Sequence, residues 1–326
     1  MIRNISNNHT GKKGNIALNK NELLHPFGGI FAATICPMHE DGAIDREALE
    51  RHLSDIASTD GIAGFLVNGH AGENFALTRD ELQTVIRTAR AASSKHRVVA
   101  GINSERSDVA AQMANDAVIA GADAVMVFPP FSWAMGVDDQ LIQAHHRAVA
   151  DAANAPLFLF QGSVNSGKTA FSMETLKRLL EIKCIVGIKE GSWETSAYEA
   201  TRRLVKDLRP EVGVMASGDE HLFTCFVIGS DGSLVSLATV VPELIVALDR
   251  AVQNGDIQTG RAIHEKLYEL AKKVYAAPGH LATLRLKTCL MLLGKLSSVA
   301  SRAPIMALSD NEKQALRDAL VKSGVL

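Results

Sequence analysis

The sequence holds only four cysteines, Cys36, Cys184, Cys225 and Cys289, and no two are close. That spacing excludes a CxxC zinc or redox motif. Three sit in apolar runs, where buried free thiols are common, and this fits a reducing cytoplasm. No surplus of one charge exists: 34 Lys and Arg stand against 36 Asp and Glu, a net charge of −2. With no basic excess to neutralise phosphates, nucleic acid is not an expected partner. No stretch approaches roughly 18 uninterrupted apolar residues, so no membrane span is expected. The first 24 residues, MIRNISNNHTGKKGNIALNKNELL, are polar and lack the apolar core of a secretory signal. Residues 1–24 are therefore expected to form a flexible extension.

What is present is an ordinary globular balance, 47% apolar and 21% charged over 326 residues. That length fits two domains, or one α/β barrel of about 250 residues with an extension. Eight short apolar runs recur: GIFAATI (29–35), GFLVNG (64–69), RVVAGIN (97–103), AVMVFPP (124–130), PLFLFQG (156–162), CIVGIKEG (184–191), VGVMAS (212–217) and GSLVSLAT (232–239). Continuous apolar runs fit strands buried on both faces, as in a parallel sheet.

Helical periodicity fills the gaps. Leu49, Leu53 and Ile56 share one face of 46–59. Thr78 with Glu81 reads as a capping box, Ser172 as an N-cap and Gly121 as a helix stop. Eight βα units predict a (β/α)8 TIM barrel over 25–240. Four further helical segments, 242–254, 256–276, 279–294 and 311–323, predict a C-terminal helical domain over 241–326. His145-His146 lies on a predicted helix and is expected at the surface.

In such barrels the active site lies at the C-terminal ends of the strands. Strand two ends in Gly69-His70-Ala71-Gly72-Glu73. Its glycines leave backbone N–H groups free for an anion such as a carboxylate, or serve only the geometry of the turn. Strand six ends in Ile188-Lys189-Glu190-Gly191. A lysine there is desolvated, so its neutral amine can attack a ketone; the plainer alternative is a snorkelling lysine paired with a carboxylate. Strand seven ends in Ser217-Gly218-Asp219-Glu220-His221, a cluster that fits a catalytic or metal-binding role or, equally, a compact turn; without a second His or Asp cluster it is weak evidence for a metal site.

Strand five is followed by Gly162-Ser163-Val164-Asn165-Ser166-Gly167-Lys168-Thr169, which matches the P-loop pattern GxxxxGK[ST]. Three features oppose nucleotide binding. Four βα units precede the match. The next strand ends in Lys189 and not in a Mg²⁺-holding Asp. The Ser172 cap starts the helix beyond the motif, so the helix dipole misses the phosphates.

With these residues placed, the chain resembles the dihydrodipicolinate synthase/N-acetylneuraminate lyase superfamily of Schiff-base lyases. The motifs that carry the resemblance run in order: GIFAATICPM, GHAGE in place of a GTTGE-type loop, LTRDE, FPPF, IVGIKEGS, SGDE and GSLVSLATVVPE. The resemblance implies a barrel with a helical C-terminal domain, a homotetramer, no metal and no organic cofactor. It implies that Lys189 forms the imine and that His70 and Ala71 occupy the two hydroxyl positions of the carboxylate-binding loop. It also implies that Gly69, Ala71, Gly72, Gly218 and Leu234 line or bind at the substrate site.

The chain departs from the family at its proton relay. The family's strand-five Tyr falls on Phe160, and its Arg falls on Asn165. A phenyl ring neither donates nor accepts a proton. The lysine-pathway synthase reaction is therefore not expected. The 2-keto-3-deoxypentonate dehydratases look similar here, with Gln161 after the substituted position and Ser166-Gly167 following.

These features together predict a Schiff-base lyase, aldolase or dehydratase, for a small 2-keto acid such as pyruvate or a 2-keto-3-deoxy sugar acid. Lys189 is the expected nucleophile, His70 the candidate acid–base group, and Gln161 a holder of substrate or water. The alternatives are a non-catalytic keto-acid-binding barrel and, third, a nucleotide-binding protein.

Overall fold

The computed structural model describes residues 25–302 and 307–326. The polar extension read over 1–24 lies outside the described residues. Eight parallel strands form a closed barrel: β1 (Gly29–Ala33), β2 (Ile62–Val67), β3 (Arg97–Ile102), β4 (Ala124–Val127), β5 (Leu157–Gln161), β6 (Ile185–Glu190), β7 (Gly213–Ala216) and β8 (Gly232–Val235). β1 pairs with both β2 and β8, which leaves no edge. Seven of the predicted apolar runs contain one of these strands whole, and the run at 64–69 overlaps β2, which starts two residues earlier at Ile62.

A helix follows each strand: α1 (Arg46–Ala57), α2 (Arg79–Ala92), α3 (Ser107–Ile119), α4 (Asp139–Ala153), α5 (Met173–Leu180), α6 (Thr195–Leu208), α7 (Leu222–Ile228) and α8 (Pro242–Gln253). The predicted helix signals act as expected. The Thr78 N–H donates to Glu81 Oε2 at 2.8 Å, and the Glu81 N–H returns to Thr78 Oγ1 at 3.4 Å. Ser172 Oγ accepts from the Thr175 N–H at 3.1 Å. Gly121, at φ 109°, follows the end of α3.

The helix α8 completes the eighth βα unit. Its Arg250 pairs with Asp60 at 2.7 Å, in the turn between α1 and β2, and so closes the ring. We therefore place the end of the barrel after Gln253, one helix later than the boundary at 240 that the sequence pattern gives. Three helices remain for the C-terminal region: α9 (Ile257–Val274), α10 (Ala282–Leu292) and α11 (Asp310–Ser323).

Strand alternation divides the core in two. One set, including Phe31, Leu66, Met126, Phe158, Met215 and Leu234, fills the barrel interior. A larger set lies between strands and helices. Burying each such side chain contributes about 1.5–3 kcal/mol. Gly187 serves the interior: a Cβ there would lie 2.2 Å from the Phe158 ring, which packs into the barrel two residues below Lys189.

His145 and His146 are buried, not at the surface, at 2% and 0% exposure. With Ile142 and Val149 they occupy positions i, i+3, i+4 and i+7 of α4, which is the helix's core stripe. The Trp133 ring packs 5.4 Å from His145, and His146 Nδ1 lies 2.8 Å from the Ile142 carbonyl.

Candidate active site

The C-terminal ends of the strands and the start of α10 enclose a cavity of about 380 Å³. Lys189 enters it from β6. The next residue, Glu190, takes the opposite face of the strand and hydrogen-bonds Ser192 Oγ at 2.9 Å, outside the site. Lys189 is half-buried, and its amine makes no hydrogen bond or ion pair among the described residues. Burial brings its pKa down to about 8, against the opposing pull of the Asp219 charge. The snorkelling, carboxylate-paired lysine of the plainer reading is not what the structure contains.

The β2 loop faces this amine. His70–Gly72 form one 3₁₀ turn, and its first two amides, His70 N–H and Ala71 N–H, have no acceptor among the described residues. Both residues line the cavity. Two adjacent free N–H groups at a turn are able to accept an anion such as a carboxylate. Gly72 does not share that role: its N–H donates to the Gly69 carbonyl at 3.0 Å, and it is absent from the lining. The loop is anchored from below. Glu73, at φ 55°, pairs with Lys287 of α10 at 2.5 Å, and both side chains are essentially buried.

One wall of the cavity is made of rings. His70 packs 4.4 Å from Phe128 and 5.7 Å from both Phe131 and Phe160. Phe160 is the register partner of Lys189, and the lysine amine lies 5.7 Å from its ring centroid. His70 was expected to titrate near neutrality. Burial, aided by the Lys189 charge, takes it down to about 4, so at pH 7 it is a neutral imidazole. Its Nε2 is buried and has no hydrogen-bond partner among the described residues.

The opposite wall is polar, and of its residues only Asp219 lies in a cluster that the sequence singled out. It brings together Asp219 after β7, Ser236 after β8 and Tyr275 after α9, all lining the cavity. Tyr275 Oη lies 2.8 Å from Ser236 Oγ, and its ring meets Trp193 at 5.1 Å. Asp219 Oδ1 accepts from the Leu237 N–H at 2.8 Å. Burial pushes the Asp219 carboxyl up to about 6, while the Leu237 amide, the Tyr275 hydroxyl and the Lys189 charge favour its ionised form. Burial first, then the Asp219 charge, raises the Tyr275 phenol well above its ordinary value. Asp219 lay in a turn-like motif, and Tyr275 carries no local signal in the sequence; only the return of the C-terminal helices to the barrel mouth places it there.

Several expected residues fall elsewhere. The Gln161 side chain is buried and bonded at both ends to the Phe171 backbone, Nε2 to the carbonyl at 3.0 Å and Oε1 from the N–H at 3.1 Å. It pins the loop after β5 and is not among the residues that line the cavity. Leu234 belongs to the barrel interior beneath the cavity, and Gly218 is not in the lining. Asn165 is exposed on its loop. The P-loop match forms no cradle: Gly162 N–H donates to the Thr169 carbonyl at 3.2 Å, Lys168 reaches Asp139 at 3.4 Å, and α5 starts only at Met173. Among the described residues no group of three metal-ligating side chains exists, and no helix is long and apolar enough to cross a membrane.

Residues 26–323 match the dihydrodipicolinate synthetase family. The chain is 31% identical over 307 residues to the 4-hydroxy-tetrahydrodipicolinate synthase of Acidiphilium cryptum, covering 92% of this chain and 99% of that protein. It is 26% identical over 302 residues to a probable 2-dehydro-3-deoxy-D-pentonate aldolase of Escherichia coli, covering 92% and 98%. A prophage protein of the dihydrodipicolinic acid synthase family from E. coli K12, solved in complex with pyruvate, shares the fold with a TM-score of 0.85 at 22% identity, over 92% of this chain and 99% of that one. With its closed eight-stranded barrel and the lysine at the end of β6, the chain belongs to the dihydrodipicolinate synthetase family and is a lyase of its Schiff-base-forming class.

Proposed function

We propose that this enzyme binds a small 2-keto acid through the His70 and Ala71 amides and converts it through an imine on Lys189. The observation that carries this reading is the unpaired Lys189 amine facing the two free amides across one cavity. With the carboxylate seated on the amides, the adjacent ketone lies toward the amine, and a positioned reaction replaces a bimolecular encounter. The imine then serves as an electron sink for a carbanion or enamine at the next carbon. Borohydride with pyruvate is expected to add covalent mass at Lys189. Labelling at another lysine, or none across a panel of 2-keto acids, would reject the mechanism.

The substrate is a 2-keto-3-deoxy sugar acid or a similar keto acid, and the reaction is dehydration in preference to aldol cleavage. Cleavage needs a base at the C4 hydroxyl, and the residue beside Lys189 on β5 is Phe160. Dehydration needs only a modest base at C3, because the imine stabilises the carbanion, and an acid for the departing hydroxyl. Aldol cleavage is the second reading, supported by the aldolase relative. Incubation with 2-keto-3-deoxypentonates and hexonates separates them: loss of water without pyruvate supports dehydration, and pyruvate released with an aldehyde supports cleavage. We further propose a homotetramer in the cytoplasm, which the family membership and four free cysteines support.

A further inference from the structure

Imine formation needs an acid, and the strand that carries the family's phenol offers only Phe160. The neutral Lys189 amine adds to the ketone, a C–N bond forms, and the carbonyl oxygen becomes the hydroxyl of a carbinolamine. That hydroxyl must leave as water. Amine, ketone and one proton give a protonated imine and one water, so one proton must come from the protein. The ring wall cannot donate it: Phe128, Phe131 and Phe160 have no proton to give, and His70 is a neutral imidazole.

We infer that Tyr275 gives this proton, and that Tyr275, Ser236 and Asp219 form a relay on the C-terminal side of the mouth in place of the phenol missing from β5. The inference rests on the Schiff-base reading above. Tyr275 shares the cavity with Lys189 and is the one phenol in its lining. A phenol is a far stronger acid than the Ser and Thr hydroxyls beside it. The group is held in place from several sides. Ser236 Oγ lies 2.8 Å from the phenol oxygen, and Leu237 N–H fixes the Asp219 carboxyl at 2.8 Å. Buried Arg285 donates to the carbonyls on both sides of the tyrosine, Val274 O at 3.3 Å and Ala276 O, and to Pro278 O beyond them at 3.4 Å. As the carbinolamine C–O bond breaks, its electron pair stays on oxygen, which takes the Tyr275 proton and leaves as water. The protonated form of the Asp219 carboxyl then returns a proton to the phenolate.

The test measures the rate at which pyruvate plus cyanoborohydride labels Lys189, by intact mass, beside pyruvate binding read from tryptophan fluorescence. Tyr275→Phe keeps the ring against Trp193 and removes only the hydroxyl. It is expected to slow labelling ~10²–10⁴-fold, the usual worth of a positioned acid, with binding close to wild type. Adding Phe160→Tyr to that variant is expected to restore part of the rate, because it returns a phenol beside Lys189. Ser236→Ala leaves the tyrosine in place and is expected to cost about tenfold, which keeps the test decisive if Tyr275→Phe does not fold. Labelling of wild type with an unchanged rate in both variants overturns this inference alone. Absence of label on wild type overturns it together with the Schiff-base reading.

Discussion

The two walls of the cavity differ in what they do to the same amine. The wall from β2, β4 and β5 is built of His70, Phe128, Phe131 and Phe160 and gives Lys189 no hydrogen-bond partner. The wall from β7, β8 and the C-terminal helices carries Asp219, Ser236 and Tyr275. The first gives the buried amine no polar partner; the second carries the Asp219 charge and the proposed proton donor. Because burial outweighs the Asp219 attraction, the amine sits at about 8 and a usable neutral fraction exists near pH 7. A site with two polar walls would keep the lysine protonated, and one with two ring walls would leave the reaction without an acid.

Removing the amine that both walls serve has the largest effect. Lys189→Ala is expected to abolish turnover and borohydride labelling while the far-ultraviolet dichroism stays native, because among the described residues no ion pair depends on it. Retained turnover would break the comparison at its centre.

The second prediction concerns the ring wall. Wild type is expected not to condense pyruvate with aspartate semialdehyde at a useful rate, since β5 lacks the acid–base group and Asn165 is exposed away from the cavity. The expected deficit is ~10²–10⁴-fold. Phe160→Tyr alone is expected to recover only part of it, because His70 and Ala71 offer no side-chain hydroxyl to a new phenol. A rate in wild type near that of ordinary enzymes would show that the substituted wall is not the limiting difference.

The third separates the walls mechanically. The carboxylate loop of the ring wall is tied to α10 through Glu73 and Lys287, both at or near zero exposure. Lys287 also donates to the Ala300 carbonyl at 2.6 Å and Ser301 Oγ at 3.1 Å. Lys287→Met leaves a buried carboxylate unpaired and is expected to cost about 3–5 kcal/mol in urea unfolding. The double variant with Glu73→Gln should regain part of that loss. A cost below about 1 kcal/mol would show that the loop holds its shape without the C-terminal helices.

These walls were unequally legible in the sequence. The barrel was readable because buried parallel strands write themselves as short apolar runs, and Lys189 because it ends one of them. The two free amides of His70 and Ala71 lie in the turn that its glycines marked. Gln161 was misplaced because period-two alternation could not say that its amide would satisfy the Phe171 backbone. Leu234 was placed one layer too high, in the lining instead of the barrel core. Tyr275 was invisible for a different reason: it meets Lys189 across 86 positions of sequence, at the end of a helix whose pattern records only its own packing. Long-range return of the chain leaves no periodic trace.

The smallest expected effect sharpens the ring wall's share in tuning the lysine. The neutral amine is the nucleophile, so the labelling rate with pyruvate should rise with pH through about 8 and then level off. The sign follows from the shift: a lysine with a lowered pKa gains its neutral form at lower pH, and one returned toward its ordinary value near 10.4 gains it later. Phe160→Asn places an amide beside the amine and admits water, while Asp219 still faces it from the other wall and His70 stays uncharged above about 4. The midpoint should therefore move upward by less than about one pH unit, a loss of under tenfold in rate near neutrality and almost none at pH 10. A midpoint that does not move would mean that depth in the barrel, and not the ring beside it, sets the lysine's pKa.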